Sequence, residues 1–350
     1  MTDFSFISFP EPNFGTAMKN LIYLLSILAI ACQPSSPNEE KIVADPLPSW
    51  NDGQTKNALL QFVDDVVEEN GSRFVEVNER IAVFDNDGNL WSEKPAYFQL
   101  LFALDRLHEM YPDHPEWDTI RAFRLALADH PDSLKELHTA DLLKIVQITH
   151  GNSTMEDFER QVEDWIRTAK HPRFDRPYTD LVYQPMLELI NYLKANDFKV
   201  FIVSGGGAAF MRPWVEGVYG IPRHQVIGSQ IQAKFEIIDG KPVMMRLPAI
   251  GFIDDKEGKP VGIYHHIGRK PIFCSGNSDG DLAMMQWTAS QEGPYLNLLL
   301  HHTDSIREWA YDHNSSIGHL DRALKMAQEK GWAIIDMSRD WKVIYPFELN

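Results

Sequence analysis

Five short apolar runs, each closing near a small or polar residue, recur between stretches of helical pattern: Arg80 to Phe84, Phe198 to Val203, Pro271 to Cys274, Tyr295 to Leu300 and Trp332 to Asp336. A strand that is apolar on both faces has to be covered on both, which is the situation of a parallel sheet between two helix layers. The rhythm therefore predicts an α/β fold around a parallel sheet. The interval between the first two runs exceeds a hundred residues and reads as helical. Tyr97, Leu100, Leu101, Leu104 and Leu107 fall on one helical stripe. The box Ser153-Thr-Met-Glu156 opens a second helix with Phe158, Val162 and Ile166 on its apolar side. Pro185 suits the first turn of a third, running to about Ala195. The expected organisation is a sheet domain over residues 51–92 and 184–350, interrupted by a helical domain over 93–183.

Charge narrows the partners. Thirty-three Lys and Arg stand against fifty Asp and Glu in 350 residues, a net charge of −17. Such a field repels polyanions and disfavours a nucleic-acid partner. An anionic small molecule needs a metal or a local cation to reverse it. The two cysteines, Cys32 and Cys274, are too few for a disulfide framework or a cysteine zinc site. Around the first of them, Met18-Lys-Asn precedes an apolar run from Leu21 to Ala31. That run is too short for a hydrocarbon core needing about 20 residues, and has the layout of a secretory signal. Ending in Ala31-Cys32, it resembles a bacterial lipoprotein signal. The resemblance implies a signal over 18–31, lipid on Cys32 and a membrane-anchored location on the periplasmic side of the cell envelope. Residues 1–17, with Asp3 and Glu11, do not suit a signal and suggest translation from Met18. The proline-containing segment 32–50 reads as a tether.

The chemistry-bearing residues follow three of the five runs. Ile81-Ala-Val-Phe runs directly into Asp85-Asn-Asp87-Gly88, placing two carboxylates at the carboxyl end of a strand, where open α/β sheets build their sites. Residues two apart on an extended chain point the same way. Two close carboxylates repel, and a shared cation relieves them; their hard oxygens favour Mg²⁺. A solvated turn would carry the same residues, so the pair alone decides nothing. The second run ends in Ser204-Gly205-Gly206-Gly207, a hydroxyl and backbone amides that can approach an anion. The third ends in Ser275-Gly-Asn277-Ser-Asp279-Gly-Asp281, an oxygen-rich cluster.

In this order the segments resemble the haloacid dehalogenase superfamily, in its phosphoserine-phosphatase-like branch, over about residues 77–345. The resemblance implies a Rossmann-like core with a helical cap inserted after the first motif, and a Mg²⁺-dependent phosphatase acting on a small phosphorylated metabolite. It assigns Asp85 as nucleophile, Asp87 as general acid and base, and Ser204 and Lys259 to the phosphate. Asp85, Asp87, Asn277 and Asp281 would hold the metal, and Gly205, Gly206, Glu93 and Arg212 would meet the substrate. Lys256 and Lys270 compete with Lys259 for the lysine role, and Asp279 either joins the metal or bonds a neighbouring loop. Two departures stand out: Asn89 replaces the usual Thr, and Asn277 an Asp. Trp91, Glu93 and Lys94 fall on the hinge toward the cap and would line its entrance. A phosphotransferase or mutase with the same covalent intermediate, or a binding protein on the same fold, fits these residues too.

Overall fold

The computed structural model describes residues 44–128 and 130–349. The start site, the signal and the Cys32 anchor lie outside the described residues. All five apolar runs are strands: β1 (Ile81–Phe84), β3 (Lys199–Gly207), β6 (Phe273–Gly276), β7 (Leu296–Thr303) and β9 (Ala333–Asp336), with a short β2 (Ser153–Thr154) between the first two. Together with β4 (Val226–Ile238) they form a parallel array in the order β4-β3-β1-β6-β7-β9. Side-chain alternation divides the core as the two-layer argument requires. Ala82 and Phe84 pack with Leu59, Phe62 and Leu189 on one side, whereas Ile81 and Val83 pack with Ile263, Met284 and Met285 on the other.

The interval after β1 carries the helices Phe98–Met110, Thr139–His150 and Met155–Thr168. Its own cluster includes Leu104, Leu107, Trp117, Phe123 and Ile145. The last helix starts one residue later than the capping box suggests: Thr154, not Ser153, accepts the Asp157 amide at 3.0 Å. The helix from Gln184 to Ala195 has Pro185 in its first turn.

Two features differ from expectation. Residues 45–50, read from composition as the end of a tether, pack into the sheet domain instead. Leu47 and Trp50 are fully buried, and the Trp50 indole N–H donates to the Pro185 carbonyl at 2.9 Å. The second is a long hairpin. β4 leaves β3 after Ser229 and continues with β5 (Lys241–Phe252), pairing Ile231 with Ile250 and Ala233 with Arg246. The two-residue turn, Asp239-Gly240, has φ of 51° and 76°, the left-handed pair that a tight hairpin needs. β5 also pairs with β2 in the helical segment, Ser153 with Arg246 and Thr154 with Met245. The short β8 (Ala310–Tyr311) completes the nine-stranded sheet beside β7. Among the described residues no helix is long and apolar enough to cross a membrane.

Candidate active site

β1 ends directly at Asp85, whose backbone amide donates to the Ser275 carbonyl of β6 at 2.9 Å. The chain then turns sharply at Gly88, with φ +74°, where a Cβ would come within 2.2 Å of Asn277 Nδ2; only glycine suits the position. Asn89 bonds locally: its Nδ2 donates to the Asp85 carbonyl at 3.1 Å and its Oδ1 accepts from Ser275 Oγ at 2.9 Å. Buried His302 donates from Nε2 to the Gly88 carbonyl at 2.7 Å and lies 3.1 Å from Glu308 through Nδ1. This bracing of the first turn was missed from sequence, because a histidine 214 residues away gives no local sign of it.

Of the three competing lysines, Lys259 reaches the carboxylates. Its ammonium, buried near the start of the helix Gly258–Ile267, donates at 2.6 Å to both Asp85 Oδ1 and Asp281 Oδ1, and at 2.9 Å to the Val203 carbonyl. Lys256 is exposed, and Lys270 bonds the Ser290 carbonyl. Asp281 Oδ2 accepts the amides of Asn277 and Ser278 at 2.9 and 3.0 Å, so this carboxylate also shapes its own loop. Asp279 caps the neighbouring helix, accepting the amides of Asp321 and Ala323 at 3.0 and 2.9 Å.

Asn277 donates from Nδ2 to Glu93 Oε1 at 3.1 Å, and Glu93 also accepts from the Tyr311 hydroxyl at 2.7 Å. Glu93 is thus spent on Asn277 and Tyr311, although it lines the cavity described below. The amide orientation that it imposes leaves Asn277 Oδ1 buried without a partner. Trp91 does not line an entrance: it is fully buried, stacks on Trp214 at 4.5 Å and donates to Asp87 Oδ1 at 2.8 Å. Lys94 turns toward Ser315 and the Ile317 carbonyl. In the last residues of β3, Ser204 Oγ accepts the Gly206 amide at 3.0 Å, and a Cβ on Gly206 would lie 3.2 Å from that hydroxyl and 3.4 Å from Asp87 Oδ2. The second and first motifs therefore meet. Arg212 donates to the Val226 carbonyl at 3.1 Å, and its Nε is buried without a partner.

The sequence model of the haloacid dehalogenase-like hydrolases matches residues 82–286, over half of the chain and the whole span from β1 past the Asp281 loop. The chain belongs to the haloacid dehalogenase-like hydrolase family. No curated protein matches it in sequence. Among solved structures, this family member is similar to a conserved functionally unknown protein from Anaerococcus prevotii, with 15% identity over 81% of this chain and 91% of that one, at a TM-score of 0.50. A protein with unknown function from Bordetella pertussis shares 16% identity over 74% and 99% of the two chains, TM-score 0.48. A phosphoserine phosphohydrolase-like protein from Francisella tularensis shares 16% over 63% and 87%, TM-score 0.34. At these identities the first likeness speaks to fold alone.

In this haloacid dehalogenase-like hydrolase a cavity of about 570 Å³ opens over the motifs. Asp85, Asp87, Glu93, Gly205, Gly206 and Lys259 line its floor, and Arg212 its wall; Ser204, Asn277 and Asp281 are buried and not among its lining. The remaining wall comes from the helical segment and the β4–β5 hairpin, whose contribution was invisible in the sequence reading. Burial, then the charge of Asp281, pushes the Asp85 carboxyl well above the usual range, with Lys259 pulling it back. Burial raises Asp87 as well, against its bond from Trp91. Burial also works against the Lys259 charge, but Asp281 and Asp85 outweigh it and hold the ammonium firmly protonated. His150, on the cavity wall, is driven down to about 3 by burial and is neutral at physiological pH.

The residues fit a small hard cation. Among the described residues no three His, Cys, Asp or Glu side chains group as metal ligands, so any such site draws on other oxygens. The orphaned, buried Oδ1 of Asn277 is one, on the residue that follows β6, the strand paired with β1. A hard oxygen set of this kind suits Mg²⁺.

Proposed function

We propose that this protein is a Mg²⁺-dependent phosphomonoester hydrolase working through an aspartyl-phosphate on Asp85. The observation that carries the reading is the floor of the cavity. One buried lysine ties the carboxylate at the end of β1 to the Asp281 loop, while a second carboxyl, raised by burial, stands two residues on. Phosphate monoesters hydrolyse very slowly without help, so a nucleophile, a proton donor and charge neutralisation are all required. Asp85 attacks phosphorus and the bond to the alcohol oxygen breaks. Asp87, whose carboxyl burial shifts toward the protonated form, gives its proton to the leaving alkoxide. Asp87 then takes a proton from the water that attacks the phosphorus of the acyl phosphate, releasing phosphate and restoring Asp85. Ser204 and the Gly205 amide donate to the phosphoryl oxygens, and Lys259 offsets their charge. Asp85, the Asp87 carbonyl and Asn277 Oδ1 would hold Mg²⁺, which when bound neutralises charge on those oxygens. The signal-like run ending at Cys32 supports a lipid-anchored enzyme at the cell envelope.

Turnover of 4-nitrophenyl phosphate tests the reading. EDTA should abolish it and Mg²⁺ restore it, and Asp85→Asn should lower kcat by about three orders of magnitude or more with the fold retained. Undiminished turnover in that variant would show that Asp85 is not the nucleophile.

A further inference from the structure

We propose that the alcohol portion of the substrate is an apolar group of several carbons, lodged between the helix Thr139–His150 and the β4–β5 hairpin. The proposal rests on the phosphatase reading and adds the substrate class. Sites that enclose ligands well beyond the size of phosphate span roughly 300–1,000 Å³, and this cavity of about 570 Å³ lies within that range. The phosphate seat takes only its floor.

Above the floor the walls are apolar for two independent reasons of local geometry. Leu142, Leu143 and Val146 recur at helical spacing, so a stripe of the helix faces the cavity. Ile231 and Ile250 are cross-strand partners that line the cavity together, and Phe252, across a register shift in the pairing, lines it as well. A helix stripe and a sheet face thus enclose one apolar space continuous with Asp85 and Asp87.

Two carboxylates and one guanidinium near that space are already engaged, and Asp255 keeps to the floor beside Gly205 and Gly280. Glu159 is paired with Arg223. The Arg246 guanidinium lies over the Phe158 ring at 4.0 Å, and its Nε donates to the His150 carbonyl. Glu93 serves Asn277 and Tyr311. A leaving group bearing an ammonium, such as serine, would find these carboxylates occupied, whereas an alkyl or aryl alcohol would displace water from an apolar wall.

Binding of two non-hydrolysable probes with Mg²⁺ tests this without turnover. Octylphosphonate should bind at least about a hundredfold more tightly than methylphosphonate by calorimetry, since each buried methylene is worth up to about fourfold. Leu143→Asn and Ile231→Asn should each cut that ratio about tenfold. Equal affinities of the wild-type protein for the two probes would overturn the proposal, whether or not it hydrolyses any ester. A failure to hydrolyse 4-nitrophenyl phosphate alongside preferential octylphosphonate binding would instead retire the reaction and leave the apolar site standing.

Discussion

Asn277 gives its amide hydrogen to Glu93, so its oxygen is turned away from that partner and left buried and unpaired. Burial holds the Glu93 carboxyl well above its usual range. The two residues behave as a unit: exchanging the amide for a second carboxyl sets two acids 3.1 Å apart in a dry site, where repulsion or forced protonation is the outcome. Asn277→Asp should therefore lower stability by about 1–3 kcal/mol in urea denaturation at pH 8 with EDTA present. Adding Glu93→Gln should return most of it, and a fully stable single variant would contradict the pairing. At this scale the sequence reading singled out Asp85, Asp87 and Lys259, which line the cavity, and Ser204, which is buried and not among its lining, because each follows an apolar run or opens a helix. It did not reach the tasks of Glu93, Trp91 and His302. These depend on partners brought in by the fold: 184 residues separate Glu93 from Asn277, and 214 separate Gly88 from His302.

The strands that carry the motifs were legible for a simple physical reason: buried on both faces, they are apolar throughout. The hairpin was not. Only Val226, Ile227 and Gly228 are buried in β4, and the inward residues that follow border a cavity rather than a core, so no clean alternation marks them. Its one strong signal is Asp239-Gly240, a dipeptide suited to a two-residue hairpin turn. Gly240 sits at φ +76°, where a side chain costs about 1–2 kcal/mol and a β-branched one more. Gly240→Val should accelerate amide hydrogen exchange across residues 230–252 about tenfold or more, and exchange as slow as in the wild type would show that the turn does not secure the hairpin. The helical segment was readable as helices, yet not as a partner of this hairpin, since β2 contributes only two residues to the sheet.

Over the whole molecule, a net charge of −17 surrounds the site proposed to take a phosphate ester. Lys259 answers that field locally with a single buried ammonium, and the Gly205 amide near the end of β3 adds a backbone donor. The other feature at this scale is connectivity. β2 joins the helical segment to β5, β5 to β4, and β4 to the strand that carries Ser204, so the nine strands are one hydrogen-bonded sheet. Chains of this size often come apart in steps, one part melting before another. Here the insertion cannot melt without freeing an edge of the sheet that holds the phosphate seat. Calorimetry should therefore record a single endotherm for residues 45–349, with calorimetric and van't Hoff enthalpies in agreement; a separate early peak from the helical segment would break the link. The apolar wall of the cavity and the carboxylates on its floor then gain and lose their shape together.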